Sequence, residues 1–201
     1  MKNRGLAAAL LMTIGLSAGL FSSTAQAEQY DFDIKGQHAF IQFKVKHLGY
    51  SWLLGSFRTF DGHFSYDERK PEKNSVSVNI DMASLDTNHA ERNKHLRSAD
   101  FFDVTKYPTA TFISTSYEVT GKKTGIVHGK LTLRGISKNI AIKVMQIGTG
   151  PDPWGGYRRG FEGHAVLHLS DYKMKKGAML GALAENIQLF LSIEGVRTKL
   201  F

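Results

Sequence analysis

The chain contains no cysteine, and this absence excludes disulfide frameworks, thiolate zinc sites, iron–sulfur clusters and cysteine nucleophiles. It has only 4 prolines among 201 residues, and its hydrophobic and charged fractions, 42% and 22%, are those of a globular protein. Disordered, collagen-like and coiled-coil chains are therefore excluded. The 26 Lys and Arg outnumber the 18 Asp and Glu, which gives a formal net charge of +8. No nucleic-acid-binding motif accompanies this charge, so we expect no nucleic-acid partner.

The first 27 residues have the pattern of a secretory signal peptide. Lys2 and Arg4 form a basic start, an uncharged run from Gly5 to Phe21 follows, and the segment ends in Ala25-Gln26-Ala27. The apolar run is short for a membrane anchor, which needs about 20 residues. We therefore predict cleavage after Ala27, export to the periplasm and no integral membrane span in the mature chain.

The mature chain, residues 28–201, keeps a positive charge. Removing Lys2 and Arg4 lowers the net charge from +8 to +6. In an exported protein, such a charge suits transient contact with an anionic membrane surface or with phosphate head groups. The alternative is that the charge only favours solubility.

Apolar and polar residues alternate along five stretches of the mature chain. A period of two predicts strands with one apolar and one polar face. The apolar members of these stretches are Ala39, Ile41, Phe43 and Val45; Val76, Val78, Ile80 and Met82; Ile140, Ile142 and Val144; Phe161, Gly163, Ala165, Leu167 and Leu169; and Ile187, Leu189, Leu191 and Ile193.

Turn signals at 121–125, 135–138 and 151–156 separate these stretches. From Tyr30 onward we count about eight strands joined mostly by short loops, which predicts an antiparallel sheet. Asn88 and Glu91 have the spacing of a capping box, so residues 88–97 are predicted to form a short helix. Runs of about ten residues are long for a sandwich. We predict an all-β fold: an eight-stranded antiparallel barrel with a short helix and an apolar lumen.

The alternation also allows an outer-membrane barrel, in which the apolar face points outward to lipid. The terminal aromatic Phe201 is consistent with that alternative. However, Gly195, Arg197 and Lys199 share its parity, and basic residues on a lipid-facing strand are costly. The sequence therefore favours a barrel whose apolar face points inward.

Several motifs of the mature chain resemble the YceI-like family, whose members are periplasmic, lipocalin-like proteins that bind polyisoprenoid lipids. The resemblance covers Glu28–Lys199 and implies an extended barrel that holds an isoprenoid chain lengthwise, without an established catalytic activity. The motifs are His47-Leu48-Gly49-Tyr50-Ser51-Trp52, Gly55-Ser56-Phe57, His95-Leu96-Arg97-Ser98-Ala99-Asp100-Phe101-Phe102-Asp103, Tyr107-Pro108, Ala110-Thr111-Phe112, Leu131-Thr132-Leu133-Arg134-Gly135 and Pro153-Trp154-Gly155-Gly156.

Two groups of residues are predicted to contact the ligand. The inward apolar residues would line the lumen, unless they simply fill a dry core. Polar residues at the barrel mouth would contact a head group, with Arg92 pairing with a diphosphate; alternatively, Arg92 pairs with Glu91 or Asp86 and His95 is structural. The predicted lumen residues are Ile41, Phe43, Val45, Val78, Ile80, Phe112, Leu131, Leu133, Ile142, Leu167, Leu189 and Leu191. The predicted mouth residues are His47, Tyr50, Trp52, Arg92 and His95.

Other chemistries have little support in the sequence. His164 and His168 would lie about 13 Å apart on one strand face, too far to share an ion. Glu91 and His95 have helical spacing, but no His-Glu-x-x-His motif completes a site. Neither a Gly-x-Ser-x-Gly motif nor a phosphate-binding glycine loop is present, so we expect no metal, no cofactor and no enzyme activity.

The function predicted from the sequence is binding of a long apolar lipid, such as a quinone or prenyl phosphate, for transport, storage or sequestration. The alternative is an isoprenoid- or lipid-modifying enzyme that uses His47 or His95. A homodimer through loops or the outer surface stays open, because a barrel has no free edge strands.

Overall fold

The computed structural model describes residues 27–174 and 184–198 and contains eleven strands and one α-helix in these ranges. The predicted signal peptide lies outside the described residues except for Ala27. The strands are β1 (Glu28–Phe32), β2 (Ala39–His47), β3 (Ser51–Phe57), β4 (Phe60–Tyr66), β5 (Ser75–Asp81), β6 (Leu85–Asp86), β7 (Thr109–Val119), β8 (Thr124–Leu133), β9 (Ile136–Pro151), β10 (Tyr157–His168) and β11 (Asn186–Arg197). The helix, α1, is Ala90–Arg97, and short 3-10 turns occupy Pro71–Lys73, Met82–Ser84 and Leu169–Tyr172.

The eleven strands form an eight-stranded wall because three of the eight are interrupted. Strands β1 and β2 pair with successive parts of β11, and β4 and β3 pair with β1 and β2 in turn. Strand β5 pairs with β4, while the short β6 pairs with β3. From β5 the wall continues through β7, β8, β9 and β10 to β11, and the β1–β11 pairing closes it. Every pairing is antiparallel, which confirms the predicted eight-stranded barrel.

The apolar faces of the strands point into the barrel. Ile41 and Phe43 are buried, while their neighbours Gln42 and Lys44 are exposed. Leu191 of β11 pairs with Ile41 of β2, so the inward residues of these two strands lie at the same level of the barrel. The alternative with the apolar face turned outward is therefore wrong, and Phe201, cited for it, lies outside the described residues.

Helix α1 lies in the connection between β6 and β7, as predicted, but its N-terminus differs from the prediction. The N-cap is His89, whose Nδ1 accepts a hydrogen bond from the Arg92 amide at 3.2 Å. Asn88 instead adopts a left-handed conformation with φ of 60°. The Asn93 side chain holds the preceding turn by bonding the Thr87 amide at 2.8 Å. The predicted capping box is wrong because this turn places His89 at the cap position. Within the described residues, no helix is long and apolar enough to span a membrane.

Candidate ligand-binding cavity

The interior of the barrel contains two adjoining chambers. The wide chamber has a volume of about 490 Å³ and lies beside α1 and the β2–β3 turn; we call this end of the barrel the helix end. The inner chamber, of about 160 Å³, lies deeper along the axis. The chambers share four wall residues, Ile41, Ile80, Leu131 and Leu189, so they follow one another along the barrel.

All twelve predicted lumen residues line these chambers. Those of the wide chamber alone are Phe43, Val45, Leu133 and Leu167, and those of the inner chamber alone are Val78, Phe112, Ile142 and Leu191. Several of them, including Val78, Leu189 and Leu191, are only partly buried although they face inward. A solidly packed core would bury these side chains completely. The structure therefore has an unfilled apolar lumen at this level rather than a dry, filled core.

Small residues on β10 make room for the cavity. Gly163 lines the inner chamber, and the next inward residue is Ala165. A Cβ atom on Gly163 would lie 3.3 Å from Ile142 and Leu191, so a larger side chain would project into the lumen. The period-two pattern thus places inward residues of different size at successive levels of the barrel.

Three of the five predicted mouth residues lie on the wall of the wide chamber: His47, Arg92 and His95, together with Glu91. The Arg92 guanidinium donates from Nε to Thr87 Oγ1 at 2.8 Å and from a terminal nitrogen to the Thr87 carbonyl at 2.5 Å. It thus holds the turn before α1. The alternative that paired Arg92 with Glu91 or Asp86 is wrong.

His95 and Asp86 have other partners. The His95 ring packs edge-on against Phe101, and its Nε2 lies 3.5 Å from Asp100 Oδ2. Asp86 forms an ion pair with Arg58 and accepts a hydrogen bond from Asn93 Nδ2 at 2.9 Å. Arg92, His95 and Asp86 are therefore held by partners in and around the turn before α1 and the helix itself, while His47 is exposed beside them.

The other two predicted mouth residues, Tyr50 and Trp52, do not line the cavity. Tyr50 is 88% exposed at the β2–β3 turn. Trp52 pairs with Lys46 across the strands, and both side chains face the outside of the barrel. The placement differs because the three-residue turn aligns His47 with Ser51, which puts even-numbered residues of both strands on the outer face.

Tyr172 is a cavity residue that the alternation does not reveal, because it lies on a 3-10 turn outside the strands. It is 1% exposed, and its hydroxyl has no hydrogen-bond partner among residues 27–174 and 184–198. Burial raises the pKa of this phenol to about 12, so it stays neutral. Further lining residues outside the strands are Leu96 of α1 and Phe101, Phe102 and Met174 of irregular segments.

The opposite end of the barrel, which we call the packed end, is filled by aromatic rings. Tyr30 and Phe64 stack with centroids 4.8 Å apart, and Phe161 meets Phe64 edge-on at 5.5 Å. Below them lies the buried guanidinium of Arg159, 3.7 Å from the centroid of the Tyr66 ring. Phe64, Tyr66 and Phe161 also line the inner chamber, so the rings form the wall at which the lumen meets the packed end.

An ion-pair network joins the strands at the packed end. Arg158 donates to Asp33, to Glu194 at 2.5 Å and to Asp152 at 2.8 Å, and His38 Nδ1 lies 2.8 Å from the same Asp33 oxygen. Burial alone would raise the pKa of Asp33, but hydrogen bonds from His38, Arg158 and Gly36 outweigh it and lower the pKa to about 2.

The network also contains a group with the spacing of a metal site. Ligand atoms of Asp33, His38 and Glu194 lie within 4.8 Å of one another. The two carboxylates, however, already bind the Arg158 guanidinium, and a cation would have to displace it. The arrangement fits a structural ion-pair network better than a metal centre.

Comparisons with known proteins agree with this architecture. The model of the YceI-like domain matches residues 32–195. The UPF0312 protein of Ectopseudomonas mendocina (strain ymp) is 52% identical over 187 residues, which cover 93% of this chain and 97% of that protein.

Solved structures share the fold. The crystal structure of the Campylobacter jejuni YCEI protein superposes with a TM-score of 0.70 at 29% identity, covering 78% of this chain and 91% of that chain. A polyisoprenoid binding domain from Saccharophagus degradans has a TM-score of 0.61 at 15% identity, covering 86% of this chain and 100% of that chain.

Proposed function

The chain belongs to the YceI-like family, and from that premise we propose that it binds one long apolar lipid inside the barrel. A polyisoprenoid, such as a quinone or a prenyl phosphate, is the ligand class that suits an elongated lumen. The observation that carries the proposal is the unfilled interior: inward aliphatic residues line two chambers in series and keep part of their surface accessible.

The energetics permit this binding. A prenyl chain that buries about 600 Å² of its surface gains about 15 kcal/mol at about 25 cal/mol per Å². The loss of translational and conformational freedom offsets much of this gain. Selection between chains of similar length is expected to be weak, because one methylene in an apolar pocket changes binding by roughly 1–3 kcal/mol.

The proposal includes the cellular setting. The signal peptide would direct the chain to the periplasm, where a carrier, store or scavenger of such lipids would operate. The test is N-terminal sequencing of the protein released by osmotic shock: a mature chain beginning at Glu28 supports export. A chain retained in the cytoplasm with Met1 intact contradicts it.

The ligand is tested by organic extraction and mass spectrometry of the protein purified from its native compartment. A co-purifying polyisoprenoid is the expected result. Absence of a lipid, together with no saturable uptake of a prenyl chain by the purified protein, would reject the proposal.

A matched pair of variants tests whether the chain occupies the lumen. Leu189 borders both chambers, so Leu189→Trp should fill the passage between them and weaken uptake by about tenfold or more. Val166 lies on the neighbouring strand, points outward and is 53% exposed. Val166→Trp should leave uptake unchanged. Equal effects of the two substitutions would place binding outside the lumen.

The structure around the mouth histidines favours lipid binding over an enzyme mechanism in which one of them is the acid or base. His95 and Asp100 lie 3.5 Å apart, which is longer than the hydrogen bond that usually orients a catalytic base. His47, exposed at the rim, has no side-chain hydrogen bond or ion pair to another described residue. Turnover of a bound lipid that is lost in His47→Ala or His95→Ala, with binding retained, would establish the enzyme alternative instead.

A further inference from the structure

The turn between β2 and β3 carries exposed apolar side chains beside the cavity. Leu48, Tyr50 and Leu54 are 52%, 88% and 65% exposed, and the indole of Trp52 is 42% exposed. Large apolar groups clustered in this way on a surface usually contact another phase or molecule. We call the outer face of residues 44–54 the docking hairpin.

Two lysines flank the indole of the docking hairpin. The ammonium groups of Lys44 and Lys46 lie 4.8 Å and 5.3 Å from the centroid of the Trp52 ring. Neither ammonium forms an ion pair with a carboxylate of the described residues. Two like charges next to one ring and without a counter-charge create a positive spot that attracts anions.

The turn itself places an apolar residue at its tip. Leu48 and Gly49 both have positive φ, 50° and 84°, and Tyr50 N donates to the His47 carbonyl at 3.0 Å. Asparagine or glycine normally occupies the first of these positions, because a branched aliphatic side chain is disfavoured there. The sequence thus keeps a leucine at an exposed point where folding alone would favour a polar residue.

The docking hairpin is continuous with the mouth of the cavity. Val45, His47 and Leu53, the inward residues of the same two strands, line the wide chamber. A surface that holds this hairpin would therefore lie next to the mouth. A long apolar ligand could then enter without exposing its chain to water. Each methylene group exposed to water would lower the partition equilibrium by about fourfold.

We propose that the docking hairpin seats the barrel on an anionic phospholipid surface, with Leu48, Tyr50 and Trp52 in the interface and Lys44 and Lys46 against the phosphates. Aromatic residues with a polar edge favour the boundary between head groups and acyl chains. Lysines next to such a boundary favour anionic lipids. The inference extends the proposed lipid-binding function by naming the surface from which the ligand is loaded.

The packed end provides an internal comparison for this proposal. Trp154 is 76% exposed at the β9–β10 turn, more than Trp52. Its cationic neighbour is Arg158, which is already bound to three carboxylates. Non-specific hydrophobic adsorption would therefore favour Trp154, whereas docking on anionic lipid favours Trp52.

Fluorescence of single-tryptophan variants tests the orientation, since the chain has only 2 tryptophans. Trp154→Phe leaves Trp52 as the reporter, and Trp52→Phe leaves Trp154. Vesicles of phosphatidylcholine with phosphatidylglycerol should shift the Trp52 emission to the blue and leave that of Trp154 unchanged. Pure phosphatidylcholine vesicles should shift neither. A shift of Trp154 equal to that of Trp52, or no shift of Trp52, would overturn the proposal.

Sedimentation with the same vesicles tests the charges. Lys44→Gln with Lys46→Gln should weaken binding by about 30-fold, since each lysine near an anionic surface contributes about fivefold. Lys122→Gln with Lys123→Gln, in the exposed β7–β8 turn at the packed end, removes the same charge and should change binding by less than about threefold. Equal losses of vesicle affinity in the two double variants would show that net charge alone drives binding, and would reject the docking hairpin as the binding surface.

The remaining outcomes separate the possible occupants. A blue shift of Trp52 that needs no vesicles and depends on protein concentration would assign the hairpin to a second copy of the chain and overturn the proposal. If the wild-type protein does not bind vesicles but takes up a prenyl chain from detergent, the docking proposal is rejected and the lipid-binding proposal stands. Vesicle binding without any such uptake supports docking and rejects the proposed ligand instead.

Discussion

The helix end and the packed end of the barrel use the same strands but different inward side chains. Along β10 the inward positions change from Arg159 and Phe161 at the packed end, through Gly163 and Ala165, to Leu167 at the helix end. Large rings and a cation fill one end, while small and aliphatic residues leave space in the other. The strand pattern therefore sets which way a residue points, and its size decides whether that level is core or cavity.

The polar interactions differ in the same way. At the packed end, Arg158 joins Asp33, Asp152 and Glu194 from three separate segments of the chain. At the helix end, the guanidiniums of Arg92 and Arg97 hold carbonyls within the connection around α1. The ties of Arg158 at the packed end reach 125 positions along the chain, whereas Arg134 at the helix end reaches carbonyls 35 and 39 positions away. We infer that the packed end contributes a large share of the stability through these ties and its stacked rings.

Removing a ring from the packed end should give the largest single loss of stability in a comparison of the two ends. Phe64→Ala should lower the free energy of unfolding by about 4 kcal/mol, because Phe64 is buried and the substitution removes its ring contacts with Tyr30 and Phe161. Leu189→Ala should lower it by only about 2 kcal/mol, because Leu189 is only partly buried and borders both chambers. Urea unfolding curves measure both values. Equal losses would show that the lumen contributes to stability as much as the packed end does.

A smaller perturbation compares glycines on neighbouring strands. A Cβ on Gly195 would lie 2.4 Å from the Phe64 ring, whereas on Gly163 it would lie 3.3 Å from its nearest neighbours. Gly195→Ala should therefore lower the free energy of unfolding by about 3 kcal/mol, and Gly163→Ala by less than about 1 kcal/mol. Thermal unfolding of the two variants provides the measurement. A greater loss in Gly163→Ala would contradict the division into a filled end and an adaptable one.

The sequence predicts those parts of this division that depend on residues close together in the chain, and misses those that depend on residues far apart. The period-two pattern was sufficient to identify lumen residues such as Ile41 and Leu189, because alternation is local. It could not orient Trp52, since the register across the β2–β3 turn decides which parity faces inward. The Arg158–Asp33 ion pair joins residues 125 positions apart, and no local signal marks it. Tyr172 lines the cavity from an irregular segment where no periodicity exists.

Acid should weaken the packed end first. Asp33 has a pKa of about 2 in the folded chain, below the value of about 3.9 expected when unfolded. Its ionised form therefore stabilises the fold above pH of about 4, and this contribution of about 2 kcal/mol is lost as the pH falls to about 2.

The variant Asp33→Asn tests this contribution. The difference in unfolding free energy between wild type and Asp33→Asn should shrink by about 2 kcal/mol between pH of about 5 and about 2. Glu91→Gln, which changes an exposed carboxylate on α1, is the control at the helix end and should show a smaller change. A constant difference for Asp33→Asn would mean that the network does not depend on this charge.

The smallest predicted effects have opposite signs at the two ends. Tyr30 and Tyr172 are 0% and 1% exposed, but the Tyr30 hydroxyl donates to Glu28 at 2.5 Å, while that of Tyr172 has no partner among the described residues. Tyr30→Phe should lower the free energy of unfolding by about 1.5 kcal/mol, because it removes a hydrogen bond to a charged group. Tyr172→Phe should raise it by up to about 1 kcal/mol, because that hydroxyl is desolvated without a partner among residues 27–174 and 184–198. Chemical denaturation resolves both changes, and a loss of stability in Tyr172→Phe would show that the hydroxyl has a compensating partner at the helix end.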